Sequence, residues 1–474
     1  MSTSAPDAFD RLGAALSERT SPIVVKEIRQ GLRTRVFWIF FALMLIACLI
    51  IALVAFAAKV GDAGQGAFIA TFLVLSVVQF FVIPFSAYRS MARERDEETW
   101  VLLTLTGLGP RRVIRGKIGS FVLQGVLYAS AAAPFLLFSY YLNGIGLPAI
   151  LVSLVFAAGY QVFLVSISVS LSTVAQGKLM RSLMQFVVLA VLLQALGLGM
   201  AGGPALGEAF RNGSVHAEFY FGLVCTLFAM LSTSVLLFEA AAAGLSLVTE
   251  NYTRGPRLAF IVQALGAAVL VVIGSQAFDA DDAIAVASVL FGVYAMLVGL
   301  YVGSDRDGLA KNLQGIRGSL LSPGAYRAYL VVIVMTLLIG GAFFTVALTT
   351  SISVKKAQLI GTMPAFALLY LSLPQIIARW LPHGPSQTPA MVRIVGLALL
   401  LLGSGVPPLM GALVATPDDS VLNVFNPVIG LANIGKSDEV NANTFIVWAA
   451  AIVSVVVAGV MLKRRDVDAL SHGD

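Results

Sequence analysis

The sequence predicts an all-α, polytopic integral membrane protein with about twelve transmembrane helices. Of the 474 residues, 58% are hydrophobic and only 12% are charged, whereas about 25% are charged in a typical soluble domain. Apolar segments long enough to cross a bilayer, about 20 residues each, recur along the whole chain. These observations indicate a membrane protein and leave no segment long enough for an independent soluble domain of about 100 residues.

The first 35 residues are polar, and we expect no cleaved signal peptide, because a short apolar core and a small-residue cleavage site are missing. Ser21 and Pro22 suit the N-cap and first position of a helix. The residues that follow divide into an apolar side and a largely basic side: Val24, Val25, Ile28 and Leu32 against Lys26, Arg29 and Arg33. Residues 1–35 are therefore predicted to form a cytoplasmic tail with an amphipathic entry helix on the membrane surface. An ordinary basic tail is the alternative.

Six predicted spans form a first half over residues 36–248, and six more form a second half over residues 249–462. A cytoplasmic tail, 463–474, ends the chain. The predicted spans are 36–58, 67–88, 118–142, 148–174, 183–201 and 218–248, and then 258–278, 284–303, 328–350, 359–378, 393–413 and 443–462.

The distribution of basic residues predicts that both termini are cytoplasmic. With the N-terminus inside, 26 of the 31 Lys and Arg residues fall in cytoplasmic segments, as the positive-inside rule requires. This topology also accounts for the net charge of +6, so we do not expect nucleic-acid binding.

The two halves share a plan, which suggests a degenerate 6+6 duplication. Each half has a long cytoplasmic loop after its second span, at 89–117 and 304–327, and a long external loop before its sixth, at 202–217 and 414–442. The cytoplasmic loops also share faint detail, an Arg-Asp pair followed by LGPRR in the first and by LSPGAYR in the second. The alternative is that twelve spans simply need loops somewhere.

The loop 89–117 is the most charged long interruption of the chain, with seven basic and four acidic residues. Burying all of them in lipid would cost on the order of 30 kcal/mol, so the segment must lie in water. Glu94 to Leu105 is predicted to be a helix with an exposed acidic first turn and an apolar side around Trp100 and Leu103. Residues 106–110 break this helix, and Arg111 to Lys117 begin a basic helix leading into the third span.

A short pattern in this loop resembles the cytoplasmic signature of type-2 ATP-binding-cassette exporter permeases, E-R-E-x-G-T-L-E-L-L followed by T-P and I-x-x-G-K. The matching residues are Glu94-Arg95-Asp96, Thr99, Leu102-Leu103, Thr106, Pro110, Ile114 and Gly116-Lys117. Residues 22–37 similarly resemble the entry helix of bacterial members. Glu98 stands where that family usually has Gly, and Gly107 where it usually has Pro.

The resemblance implies that this segment is a coupling helix that docks into a groove of a separate, cytosolic ATPase subunit. The implied contact residues are Glu94, Arg95, Glu97, Glu98, Thr99 and Trp100. It also implies a bacterial cytoplasmic (inner) membrane location among membrane lipid, and a permease without catalytic residues or cofactor of its own. One chain would supply both halves of the pathway if the duplication is real; otherwise two chains would pair as a homodimer.

Other motifs carry less weight. Gly430 to Ser437 fits the phosphate-loop pattern G-x-x-x-x-G-K-S, but it lies in a predicted external loop with no room for a nucleotide-binding domain, so we interpret it as a chance match. The three histidines fall in predicted loops or the tail on both sides of the membrane, and we expect no metal site. Glu239 is the most membrane-embedded acid, either functional or at the cytoplasmic interface.

Two other functional classes remain open from the sequence. An ion-coupled secondary transporter suits twelve spans in two halves, but it calls for ionisable residues well inside the spans, and the sequence offers few. A non-transporting membrane scaffold that binds an ATPase is the other alternative.

Overall fold

The computed structural model of the chain describes most of the sequence and is almost entirely helical. The described residues are 22–58, 63–96, 109–142, 145–174, 178–211, 216–246, 251–278, 281–306, 320–350, 352–381, 388–414, 423–436 and 439–471. No β-strand occurs within these ranges.

Within the described residues, all regular elements are helical. They are α1 Pro22–Leu32, α2 Arg35–Ala57, α3 Ala63–Ser76, a π-helical segment Val77–Val82, α4 Ile83–Asp96, α5 Pro110–Tyr141, α6 Leu147–Val174, α7 Lys178–Arg211, α8 Ala217–Leu245, α9 Arg254–Ala277, α10 Asp281–Gly303, α11 Ala325–Thr349, α12 Val354–Trp380, α13 Thr388–Val414, α14 Ile429–Ile434 and α15 Ala442–Ser471.

In the described part of the chain, twelve continuous helical segments are long and apolar enough to cross a membrane, which confirms the predicted all-α, polytopic membrane fold. Span 1 is α2, span 2 runs through α3, the π-helical segment and α4, spans 3 to 11 are α5 to α13 in order, and span 12 is α15. Span 2 extends well beyond the predicted 67–88, from Ala63 to Glu94. The helix continues because residues 89–96 contain neither Gly nor Pro to stop it.

The predicted entry helix is present as α1, and it lies against α5. Gly31 faces α5 so closely that an added Cβ atom would collide with the amide of Gln124. Thr34 is the N-cap of α2, and its hydroxyl accepts a hydrogen bond from the backbone N–H of Phe37. The chain therefore turns from α1 into span 1 over a two-residue, capped connection.

The chain divides into two compact units, Met1–Ser246 and Leu247–Asp474. In unit 1, span 4 lies centrally and packs against spans 2, 3, 5 and 6, while span 1 packs against spans 2 and 3. The core of this unit is built from large side chains such as Phe68, Phe72, Tyr128 and Tyr160.

Unit 2 repeats this packing plan within itself. Span 10, the fourth span of its unit, packs against spans 8, 9, 11 and 12, and span 7 packs against spans 8 and 9. Span 10 is also the most buried span of the chain. The two units therefore share span number and span neighbours, although their sequences resemble each other only faintly.

Glycine allows spans 2 and 5 to approach closely in unit 1. A Cβ atom added at Gly199 would collide with the ring of Phe80, and one added at Gly203 would collide with the ring of Phe72. Both rings are almost completely buried. Small residues spaced by four on one helix form a shallow face, a common way for transmembrane helices to pack.

Candidate functional site

Four polar side chains meet where α1, span 2 and span 3 come together; we call them the Lys117 junction. They are Glu27 of α1, Ser90 and Glu94 of α4, and Lys117 of α5. The Lys117 Nζ atom lies 3.0 Å from Glu27 Oε2, donates to Ser90 Oγ at 3.0 Å, and donates to Glu94 Oε1. The side chain of Lys117 is only 1% exposed, against 10% for Glu27 and 20% for Glu94.

Local helical geometry explains why these residues converge. Ser90 and Glu94 are four positions apart on α4 and therefore share a face. Pro110 stands in the first turn of α5, where its missing N–H has no helical partner in any case. Lys117 lies two turns further on, at the level of Glu94. The amino group of Lys117 has three donor hydrogens. Ser90 and Glu94 accept hydrogen bonds from it, and Glu27 forms an ion pair with it.

The buried positive charge of Lys117 is compensated by the carboxylates of Glu27 and Glu94. A lysine this deeply buried is tolerated only when it is paired and hydrogen-bonded, and two carboxylates supply that compensation. Removing one member of a buried ion pair typically costs about 3–5 kcal/mol, because the remaining charge stays buried without its partner. The Lys117 junction therefore fixes the relative positions of α1, α4 and α5.

The position of the Lys117 junction along the sequence connects it to the predicted coupling segment. Glu94 lies just before residues 97–108, and Lys117 follows soon after them. The ion pair thus joins the two flanks of that segment to each other and, through Glu27, to the entry helix.

The structure corrects the expected placement of Glu94. We expected Glu94 to begin a separate helix with an exposed acidic first turn, whereas it lies near the end of α4 and is mostly buried against Lys117. Arg95 occupies the last turn of the same helix. The remaining predicted contact residues, Glu97, Glu98, Thr99 and Trp100, lie outside the described residues.

A second ion pair lies at the same end of unit 1 and joins span 3 to span 6. Arg111, in the first turn of α5, lies 2.9 Å from Glu239 of span 6. The Arg111 side chain is 54% exposed and that of Glu239 only 18%. Glu239 is thus placed beside the beginning of span 3 and not in mid-span. With one partner in solvent, such a pair contributes at most about 1 kcal/mol.

Unit 2 contains a comparable arrangement, which we call the Asp305 junction: Tyr252, Arg257, Asp305 and Gly324. Arg257 Nη2 donates to Asp305 Oδ2 at 2.8 Å, and the two side chains are only 1% and 3% exposed. The Tyr252 hydroxyl donates to Asp305 Oδ1 at 2.7 Å. The backbone N–H of Gly324 donates to Asp305 Oδ2 at 2.9 Å.

Arg257 also holds the backbone that leads into α11. Its Nη1 atom donates to the carbonyl oxygens of Leu320 and Ser322 at 2.9 and 2.5 Å. Gly324, the N-cap of α11, has a φ of 142°, a conformation that side chains other than glycine rarely adopt. Burial and the neighbouring Asp305 carboxylate raise the pKa of the Tyr252 phenol above its ordinary value.

The two junctions occupy equivalent places. In each unit an acid at the end of the second span, Glu94 or Asp305, pairs with an almost completely buried cation. Each acid is followed by Arg-Asp, the pair that the two loops share. The cations come from different places, however: Lys117 belongs to the third span of its unit and Arg257 to the first. The helical periodicity of the sequence does not predict these ion pairs, because each acid and its cation are distant in the sequence.

The phosphate-loop pattern has a different geometry from a nucleotide site. Gly430 to Ile434 lie inside the six-residue helix α14, whereas a phosphate loop precedes its helix. Gly430 packs tightly against the backbone of Asn423, and Lys436 is exposed beyond the helix. Ser437 lies outside the described residues. Nowhere in the described part of the chain do three or more His, Cys, Asp or Glu side chains cluster as metal ligands would.

Compared with known proteins, the sequence matches no family model, and no curated protein is significantly similar to it.

Proposed function

We propose that the chain is the membrane-spanning permease of an ATP-driven exporter in a bacterial cytoplasmic membrane, and that a separate cytosolic ATPase supplies the energy. The observation that carries this proposal is the Lys117 junction. It links both flanks of the predicted coupling segment to the entry helix, so a force applied to residues 97–108 would move α1, span 2 and span 3 together.

Two further observations support the proposal. The sequence pattern around Glu94 to Lys117 resembles that of type-2 exporter permeases, in which this segment docks into an ATPase. The two units also share their span neighbours, which suits one chain that supplies both halves of a pathway. In the mechanism we propose, ATP binding closes two ATPase subunits, and the coupling segments convert that closure into an alternating opening of the spans.

The placement of carboxylates disfavours the ion-coupled alternative. Secondary transporters usually bind the coupling ion near the middle of the membrane. Among the described spans, every Asp and Glu lies within about two turns of a span end, including Glu94, Glu208 and Glu239. A non-transporting scaffold would share the docking segment but not the transport.

The docking proposal is tested by reversing charge in the coupling segment without disturbing the Lys117 junction. Glu97→Lys with Glu98→Lys should lower binding of the partner ATPase, encoded beside this chain or purified with it, by at least about tenfold, since like-charge contacts at an interface cost several kcal/mol. Glu208→Lys with Glu218→Lys is the charge-matched control on the predicted external side, where both side chains are exposed.

The outcomes separate the three functional classes. Unchanged ATPase binding in the Glu97/Glu98 variant would refute the docking role. Transport that persists in vesicles without ATP, driven by a proton or sodium gradient, would identify a secondary transporter. ATPase binding with identical substrate flux in the presence and absence of the chain would identify a scaffold.

A further inference from the structure

The entry helix α1 carries three faces of different chemistry, and its basic face is the one left exposed. At about 100° per residue, the residues divide into three sides: Glu27 and Gly31; Val25, Ile28 and Leu32; and Lys26, Arg29, Gln30 and Arg33. Glu27 and Gly31 dock onto span 3 through Lys117 and Gln124. The apolar side is half-buried, and the basic side is exposed.

The basic side borders an open groove on the surface. Its lining residues are Val25, Lys26, Arg29, Gln30, Arg33 and Thr34. Arg29 and Arg33 are one turn apart, so their guanidinium groups lie on the same side of the helix and can donate hydrogen bonds to one ligand. Guanidinium groups bind phosphate oxygens in a bidentate fashion, so the groove presents donors suited to a phosphate group beside an apolar wall from Val25.

The surroundings place this groove at the level of lipid headgroups. Span 1 begins three residues after Leu32, and its Trp38 is 58% exposed. Tryptophan is enriched at the membrane–water boundary. Ile39 and Leu43, further along the span, are 56% and 55% exposed, so the span that follows α1 in the chain presents an apolar surface for acyl chains.

We propose that the α1 groove binds the phosphate headgroup of an anionic phospholipid, with Arg29 and Arg33 as the principal ligands and Lys26 as an additional cation. Val25 and Ile28 of α1 and the exposed surface of span 1 bind the acyl chains, while Leu32 packs against the core of unit 1. Charge complementarity and the adjoining apolar surface favour a lipid over a soluble anion, because a free phosphate would use only the basic side. The site does not depend on an ATPase.

The test measures lipid selectivity of the full chain. The protein is reconstituted in phosphatidylcholine nanodiscs that contain a minor fraction of phosphatidylglycerol, and retained lipids are counted by native mass spectrometry after release. Wild-type protein should retain phosphatidylglycerol preferentially. Each basic residue near an anionic surface is worth about fivefold in affinity, so Arg29→Gln with Arg33→Gln should lower this preference by at least about tenfold.

Two variants control for folding and for general charge. Arg29→Lys with Arg33→Lys keeps the charge but not the bidentate guanidinium geometry, so its preference should lie between that of the wild type and that of the glutamine variant. Lys463→Gln with Arg464→Gln removes two exposed charges on the same predicted side, and it should leave the preference unchanged.

Several results would overturn the proposal. Wild-type protein without any preference for phosphatidylglycerol would do so, as would a preference that survives in the glutamine variant or falls equally in the Lys463/Arg464 control. Displacement of the lipid by millimolar inorganic phosphate would instead identify a site for a soluble anion.

Discussion

Glu27 and Lys117 form an ion pair of 3.0 Å between the entry helix and the third span. The pair is almost completely buried, and Glu94 approaches the same amino group from the end of span 2. One cation thus joins three helices that are separate in the sequence.

The first prediction concerns the stability that depends on this cation. Lys117→Met should lower the free energy of unfolding by about 3–5 kcal/mol, since Glu27 and Glu94 would remain close together without a counter-charge. Adding Glu27→Gln and Glu94→Gln should recover a large part of that loss. Unfolding in mixed micelles measures both effects.

Lys463→Met is the matched control, because Lys463 is exposed and substitutions at such positions change stability by about 0.5 kcal/mol or less. If Lys117→Met were as stable as the wild type, the Lys117 junction would not hold the three helices together.

The fold was largely predictable from the sequence, whereas the junctions were not. Apolar length alone gave all twelve spans, because crossing a bilayer demands about 20 apolar residues. The entry helix was predictable from the spacing of Val25, Ile28 and Leu32. Lys117 belongs to the I-x-x-G-K pattern, but nothing in its charge or spacing indicates that it is buried whereas Arg112 and Arg115 are exposed. Its burial results from where α1 and α4 pack, which is tertiary information.

Glu94 illustrates the same limit in the candidate site. Its sequence context, with acidic residues following, suggested the exposed beginning of a helix. The span 2 helix continues past it, so that Ser90 and Glu94 face Lys117. A charge reversal at Glu94 would therefore disturb folding as well as any docking, which makes Glu97 and Glu98 the better positions for testing the proposed docking of an ATPase.

The second prediction concerns the Asp305 junction. Arg257→Met should lower the stability of unit 2 by about 3–5 kcal/mol, because the Asp305 carboxylate would remain buried without its cation. Arg257→Lys should restore little of this loss, since one ammonium group cannot reproduce the guanidinium bonds to Asp305, Leu320 and Ser322. Arg254→Met, at an exposed position three residues earlier, should have almost no effect. A Lys variant as stable as the wild type would contradict this account.

The third prediction concerns pH. The folded structure raises the pKa of Tyr252 above its ordinary value of 10.0 through burial and the Asp305 carboxylate. The unfolded chain therefore loses the phenol proton at a lower pH than the folded chain does. The stabilisation is fully present below pH 10 and decreases as the pH rises above it.

Tyr252→Phe should remove that component of the alkaline decline, while costing roughly 1 kcal/mol at neutral pH for the lost hydrogen bond. Unfolding measured between about pH 8 and pH 11 compares the two proteins. Parallel pH profiles for wild type and Tyr252→Phe would show that Tyr252 ionises equally in both states.

The fourth prediction concerns the phosphate-loop pattern. Lys436→Ala should leave ATP hydrolysis by the proposed complex with an ATPase unchanged, because Lys436 is exposed after a six-residue helix that does not form a phosphate cradle. ATPase rates of complexes matched for subunit content measure this. Loss of hydrolysis with the complex still assembled would mean that the segment does bind nucleotide.

The fifth prediction uses two adjacent glycines of span 5. Gly203→Ala should destabilise unit 1 by about 1–3 kcal/mol, because the new methyl group would overlap the buried ring of Phe72 and force it to move. Gly202→Ala, one position earlier, meets no atom within 4 Å and should be neutral or stabilising by up to about 1 kcal/mol through its higher helix propensity. Unfolding in mixed micelles separates the two variants. Equal effects of the two substitutions would mean that the close approach of spans 2 and 5 does not require glycine at position 203.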